Sequence, residues 1–378
     1  MLAHGMVMYA ALYAWCKSCQ AETHAWPPDV LIDWRAARLP VRSSRDRQMK
    51  AAYYESKGPA RDVLRIGEQP QPQPAAGEVR VRVHASAVNP SDTKARGGLR
   101  IKEMPFPVVI PHQDGAGVID AVGSGVPGTR VGERVWIFEA NLNRPFGTAA
   151  QYTCVPAHKA VALPAGVDYT VGACMGIPVM TAHRCVFADG SLDGKTVLVQ
   201  GGAGAVGYYA VQLAKLGGAA RVIATVSRAE QAEHAREAGA DALINYRSED
   251  VAARVKEICG TQAAVDRVIE VAFGANLATD LAVLRPSGVI ATYASDAVPE
   301  PKLPFWPLLA KDITVRFVLV YAMSARAHAD AAAFITDALG RGELKHQIHR
   351  VFALDEIVAA HEATESMKNV GKVLLRVD

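Results

Sequence analysis

An excess of charge of one sign, a cysteine framework and long apolar runs are all missing from this sequence. Its 41 basic residues face 38 acidic ones, a formal charge of +3 over 378 residues. That balance gives no field to attract nucleic acid or a membrane surface, and any basic patch is local. The six cysteines, Cys16, Cys19, Cys154, Cys174, Cys185 and Cys259, are too sparse for a disulfide scaffold. Most sit in apolar runs such as Ala173-Cys174-Met175, the pattern of buried free thiols in a reducing compartment. Cys16 and Cys19 make one CxxC pair, with neither a second pair nor histidines at zinc-site spacing. No apolar run approaches the length of a membrane span. Met6 to Trp15 is apolar, but no basic residue precedes it and no small-residue cleavage site follows. A secretory leader is therefore not expected, and a cytoplasmic location is.

What is present is the make-up of a globular chain: half of the residues are hydrophobic and 21% are charged. The length is generous for one domain, so two lobes are expected. Residues 1 to 48 differ in texture, with Trp26-Pro27-Pro28, then the basic run Arg42-Ser43-Ser44-Arg45-Asp46-Arg47, and no sustained hydrophobic period. They are expected to be a poorly packed extension, either an appendage or the product of a translation start upstream of Met49. From Met49 the chain turns β-rich. Glu78-Val79-Arg80-Val81-Arg82-Val83-His84 alternates at period two, the signature of a half-buried strand. Gly115 to Val122 and Glu133 to Phe138 predict further short strands.

Near Pro178 the texture changes. Apolar runs at Val197-Leu198-Val199, Val222-Ile223-Ala224, Ala242-Leu243-Ile244, Val268-Ile269-Glu270-Val271, Val289-Ile290-Ala291 and Val315-Arg316-Phe317-Val318 follow one another. Helical stretches such as Val206 to Leu216 and Ala229 to Ala238 lie between them. This alternation predicts an α/β domain, a parallel sheet with helices on both faces. Beyond it come a helix near Ala325 to Leu339, a strand near Ile348 to Phe352, a helix near Asp355 to Glu365 and a last strand, Lys372 to Val377. That tail is expected to rejoin the first domain.

The sharpest local signal is Val199-Gln200-Gly201-Gly202-Ala203-Gly204-Ala205-Val206-Gly207. Gly202, Gly204 and Gly207 satisfy G-x-G-x-x-G between a strand and a helix. The first permits a tight turn, the second lets a pyrophosphate approach the backbone, and the third lets helix and strand pack closely. The helix N-terminus at Ala205 and Val206 adds free N–H groups and a positive dipole. A dinucleotide site for NAD usually carries an acid about 20 residues further on. Here the next strand ends Ala224-Thr225-Val226-Ser227-Arg228. A hydroxyl and a guanidinium suit the extra 2′-phosphate of NADPH, whereas Arg228 alone is also a common solvated residue of a first helical turn. Tyr246 lies after the third strand, placed to cover adenine and phosphate.

These motifs carry a resemblance that runs from Met49 to Asp378. The chain resembles the zinc-independent quinone oxidoreductases (zeta-crystallin-like) of the medium-chain dehydrogenase/reductase superfamily. The matches include Met49-Lys50-Ala51, Val88-Asn89-Pro90-Ser91-Asp92, Asp114-Gly115-Ala116-Gly117-Val118-Ile119 and Gly132-Glu133-Arg134-Val135. Further on come Gly176-Ile177-Pro178 with Thr181-Ala182, Ala238-Gly239-Ala240, Ile244-Asn245-Tyr246 and Gly371-Lys372-Val373. The likeness implies a GroES-like catalytic domain over 49–177, a Rossmann nucleotide-binding domain over 178–320 and a C-terminal return over 321–378. It implies NADPH as cofactor, with Lys372 among the residues that bind it, and a quinone or α,β-unsaturated carbonyl as substrate. Reduction of another carbonyl compound, or cofactor binding without turnover, stays open.

Zinc enzymes of the superfamily hold their metal at positions occupied here by Asn89, Gln113 and Ile177, none a good zinc ligand. His112 stands one residue off register, in the place of the usual glycine, where a local hydrogen bond is expected of it. No cysteine lies between Phe138 and Ala149, where a structural zinc lobe would sit. Without a metal, placement and hydrogen-bond donors must do the work. Asn89 is read either as a polar group lining the site or as a turn residue before Pro90. Thr181 is placed near the nicotinamide by the resemblance. Lys94 stands where bacterial relatives have a tyrosine, with another near Arg100, which removes an aromatic platform. Lys94 itself is read as a donor or as an exposed loop lysine. Finally, Thr314 to Val320 predicts the last strand of the parallel set; the resemblance, more than the strand itself, implies a homodimer paired there edge to edge, the alternative being that a loop or the C-terminal return covers the edge.

Overall fold

A computed structural model describes residues 47–99, 101–260 and 264–377. The chain divides into units 1–45 and 46–378, and the described residues all belong to the second. The expected poorly packed extension falls almost wholly outside the described residues, as do Cys16, Cys19 and Arg100. Gln48 already pairs with Pro70, so ordered pairing begins one residue before Met49.

Two large sheets build the fold. In the first, strands β1 (Gln48–Tyr53) and β2 (Arg65–Pro70) form a hairpin beside a seven-stranded sheet. That sheet contains β3 (Glu78–Val88), β4 (Asp114–Val122), β5 (Arg134–Ile137), β6 (Tyr152–Pro156) and β7 (Ala160–Ala162). β3 runs four residues past the alternating segment, because Ala85 to Val88 are buried on both faces between neighbouring strands and lose their alternation. Helix α1 (Pro90–Gly97) follows β3 directly, with Pro90 at a first-turn position that has no N–H to satisfy.

The second sheet holds β8 (Thr196–Val199), β9 (Arg221–Val226), β10 (Ala242–Asn245), β11 (Val265–Glu270), β12 (Leu284–Thr292) and β13 (Thr314–Phe317). Every pairing is parallel, in the order β10-β9-β8-β11-β12-β13. This is the doubly wound order with its switch point between β8 and β11, where ligands bind beyond the carboxyl ends of the strands. Apolar residues fill these central strands because helices cover both faces. The helices are α2 (Met180–Phe187), α3 (Gly207–Leu216), α4 (Ala229–Glu237), α5 (Val251–Cys259) and α6 (Phe273–Val283). Asp250 caps α5 by accepting from the N–H of Ala253 at 2.7 Å. The last parallel strand stops at Phe317, short of the expected Val320. Val318 still donates its N–H to Thr292 O, after which the chain curls into a 3₁₀ turn over Val320–Ala322.

Helix α7 (Ala325–Gly340) then leads to β14 (Ile348–Ala353), α8 (Ile357–Glu365) and β15 (Lys372–Arg376). β15 pairs antiparallel with β3, so the C-terminal segment closes the first sheet. The two sheets share one core. It runs from Ala116 and Trp136 through Met175, Met180 and Cys185 to Val197, Val211 and Val222. Among the described residues no helix is long and apolar enough to cross a membrane.

Candidate functional site

The glycine loop is held from below by β9. Gly201, at φ +69°, donates its N–H to Thr225 Oγ1 at 2.9 Å, and Gly202 donates to Thr225 O at 3.0 Å. A Cβ on Gly202 would lie 2.5 Å from the Cβ of Ala224, and one on Gly207 would lie 2.2 Å from Gly201 O. Both positions therefore require glycine for close approach. Gly204 differs: an added Cβ would meet only Gly201 O, at 3.3 Å. Its outer face is open, as a backbone approached by an anion requires. Among the described residues, none accepts from the N–H groups of Ala205 and Val206 at the mouth of α3. A narrow, open cleft lies there, lined by Ala203, Gly204, Ala205, Tyr208, Gly371 and Lys372.

Lys372 connects this cleft to a buried polar cluster. Its Nζ donates to Asn89 Oδ1, whose own Nδ2 donates to Asp114 Oδ2 at 2.8 Å. The same carboxylate oxygen accepts the N–H of Ile177 at 2.9 Å, and Thr181 Oγ1 donates to Ile177 O at 2.6 Å. Asn89, Asp114, Ile177, Thr181 and Lys372 thus form one connected set drawn from the junction of β3 and α1, from β4 and β15, and from α2 and the turn before it. Asp114 fits because Gly176 faces it: a Cβ there would fall 2.1 Å from Asp114 Oδ1. Asn89 precedes Pro90 and caps α1, its N–H going to Asp92 Oδ2 at 2.8 Å. With its amide oxygen on Lys372 and its amide nitrogen on Asp114, Asn89 organises its neighbours. Burial raises the acids of this cluster, Asp92 to about 7 and Asp114 to about 6, against the pull of the Lys372 charge.

Behind Asp114 lies a second buried group. Ser86 Oγ is 2.8 Å from His112 Nδ1 and 2.7 Å from Thr148 Oγ1, while His112 Nε2 is 2.9 Å from His361 Nε2. His112 adopts φ +80°, the left-handed backbone that a glycine would take more easily. Burial lowers the pKa of both histidines, that of His361 to about 3, so they stay neutral.

The remaining sequence candidates are spread along the cleft. Lys94, on α1, pairs with Asp296 beyond β12 at 2.6 Å, and Tyr321 Oη donates to Ser91 Oγ at 3.1 Å. Both contacts tie α1 to the parallel-sheet half. At the far end, Ser227 Oγ donates to Gln231 Oε1 at 2.8 Å and Arg228 Nη2 donates to Lys368 O at 2.9 Å. Tyr246 is 52% exposed beside them in the strand order, its N–H bonded to Val226 O. Sequence reading missed Asp114 as a site residue, although it opens a quoted motif, and missed the Lys372–Asn89 contact, which joins residues 283 positions apart.

Comparison with known proteins gives the family. Residues 75–165 match the alcohol dehydrogenase GroES-like domain, and residues 205–337 match the zinc-binding dehydrogenase family. A 2-haloacrylate reductase of Burkholderia is 32% identical over 320 residues, 80% of this chain and 91% of that protein. The chain belongs to the quinone oxidoreductase branch of the medium-chain dehydrogenase/reductase superfamily. Human quinone oxidoreductase is 29% identical over 294 residues, covering 77% of this chain and 86% of the relative. A mycobacterial protein solved in complex with NADPH is 30% identical with a TM-score of 0.76, covering 87% of this chain and 99% of its own.

Within this oxidoreductase branch the metal question is one of donor chemistry. Asn89 is spent on Asp114 and Lys372, Gln113 Nε2 donates to Asn141 Oδ1 at 2.7 Å, and Ile177 offers only its backbone. Zinc prefers thiolate, imidazole or carboxylate, so these residues do not fit a catalytic zinc.

Proposed function

We propose that this chain reduces a quinone or an α,β-unsaturated carbonyl with NADPH, by a metal-independent hydride transfer. One observation carries the reading: Lys372 both lines the phosphate-loop cleft and hydrogen-bonds Asn89. A dinucleotide laid on the glycine loop is thereby directed toward the set around Asn89, Asp114 and Thr181.

The residues fit the cofactor. The open face of Gly204 and the N–H groups of Ala205 and Val206 receive the pyrophosphate, with the α3 dipole behind them. Ser227 and Arg228 are assigned to the 2′-phosphate and Tyr246 to the adenine edge. When bound, NADPH supplies the hydride from its nicotinamide C4. Asn89 fixes the Lys372 ammonium beside the cleft, where a cation complements negative charge on the cofactor or on a developing enolate or quinol oxygen. Asp114 holds Ile177 and, through it, the turn that carries Thr181 toward the nicotinamide. Lys94, paired with Asp296, is assigned to closing α1 over the cleft. Steady-state oxidation of NADPH with a panel of naphthoquinones, benzoquinones and cyclic enones tests the proposal. Turnover with at least one class is expected. NADPH binding with no turnover across the panel would contradict it.

A further inference from the structure

Beneath the glycine loop runs a polar chain that the proposed hydride transfer does not use. Thr225 Oγ1, which accepts the N–H of Gly201, donates to Gln200 Oε1 at 2.9 Å. Gln200 Nε2 donates in turn to Asp280 Oδ1 at 3.1 Å. Asp280, on α6, abuts Glu270 at the end of β11, and both carboxyl groups are completely buried. The donors run in one direction, from the Gly201 N–H to the Thr225 hydroxyl, from that hydroxyl to Gln200 Oε1, and from the Gln200 NH₂ to Asp280. The far oxygen, Asp280 Oδ2, is buried with no donor from the protein. Glu270 is the acid in contact with Asp280, and a proton held between the two carboxyl groups would satisfy that oxygen.

We infer that Asp280 and Glu270, sharing one proton, are positioning residues that hold the glycine loop in the shape that receives the cofactor. The inference rests on the reading of that loop as the NADPH site. Two buried carboxyl groups in contact cannot both ionise without strong repulsion, so the pair keeps one proton well above the ordinary carboxylate range. Burial raises both groups, Asp280 far more, in accord with that geometry. The groups facing the pair come from several elements. Asn276 of α6 donates to both Glu270 oxygens at 3.1 Å, and the Ala272 N–H donates to Oε1. The Tyr293 phenol, beyond β12, feels the Glu270 charge, and Gln200 approaches from the end of β8. Loss of the shared proton makes the pair a dianion, and the repulsion displaces Asp280 and, through Gln200, the Thr225 hydroxyl that accepts from Gly201.

The test is fluorescence titration of NADPH into the wild type, Asp280→Asn and Glu270→Gln, from about pH 6 to about pH 9, the range in which buried carboxyls titrate. The wild type should lose affinity on the alkaline side, by up to roughly tenfold per pH unit above the second ionisation of the pair. Either amide variant removes the second ionisable group, so its profile should stay flat where that of the wild type falls. One folded variant is sufficient, and a flat wild-type profile would by itself overturn the inference. Matching profiles in all three proteins would overturn it too and leave the NADPH reading intact. A wild type that binds no NADPH at any pH would instead remove the reading beneath it.

Discussion

Arg228 stands where a site for NAD would carry an acid, and its guanidinium is engaged through Nη2 with a single backbone carbonyl, that of Lys368. A phosphate at this end of β9 would find the remaining N–H groups of that fork, and a hydrogen bond to a charged group contributes about 1.5–3 kcal/mol. Arg228→Ala should therefore weaken NADPH by at least roughly tenfold and leave NADH unchanged, as calorimetric titration of both cofactors would show. An equal loss for the two would detach Arg228 from the 2′-phosphate. Asp92 gives a second test at this scale. Its folded-state pKa, about 7 against an ordinary 3.8, is raised by burial. The stability it contributes is fully present below the ordinary value and is lost as pH climbs through about 7. Asp92→Asn keeps an acceptor for the Asn89 N–H but cannot ionise. Urea unfolding at pH 5 and pH 8 should show a smaller drop in the variant, by on the order of 2 kcal/mol.

The loop between β8 and α3 is held by contacts an extra carbon would violate. Gly207→Ala would place a Cβ 2.2 Å from Gly201 O, and strain of this kind costs roughly 1–3 kcal/mol. A lowered melting temperature together with weakened NADPH binding is expected, and an unaffected protein would mean the loop is shaped otherwise. These glycines were legible in the sequence because the motif is local: strand, turn and helix follow within a dozen residues. The parallel strands were legible for the same reason, since burial on both faces leaves continuous apolar runs. Gly201, the glycine at positive φ, was hidden in that motif because a neighbouring glycine fits the pattern equally well. Asp280 and Glu270 carry no local signal in the sequence, one on a helix and one at a strand end. Only the packing of α6 against β11 and β8 shows that both lie under the loop. The end of β13 escaped for a related reason, since Val318 to Val320 is as apolar as a strand but turns away after one last bond to Thr292.

For the molecule as a whole, β13 is the edge of the parallel sheet, and apolar groups gather beside it. Phe317 is 69% exposed and Trp306 is 74% exposed, with Phe305, Leu309 and Leu319 also open. A bare edge beside an apolar surface is an association hazard unless a partner covers it, and a two-fold copy of the same strand extends the sheet with a self-complementary contact. Sedimentation at micromolar concentration should find a homodimer, and Leu319→Lys should dissociate it. A monomeric wild type would end that proposal.

On the proposal made above, one cleft running from the glycine loop past Lys372 to Asn89 and Thr181 aligns a cofactor for hydride transfer. The most direct test uses NADPH deuterated at the nicotinamide C4, with the product analysed by mass spectrometry and NMR after turnover of a cyclic enone or a quinone. Deuterium should leave from one face of C4 only, delivered to the β-carbon of the enone or, with the quinone, accompanied by a NADPH-dependent quinol with the cofactor label consumed in equal amount. Bound NADPH that keeps its label with every acceptor would contradict the proposal and leave the chain a nucleotide-binding protein without this chemistry.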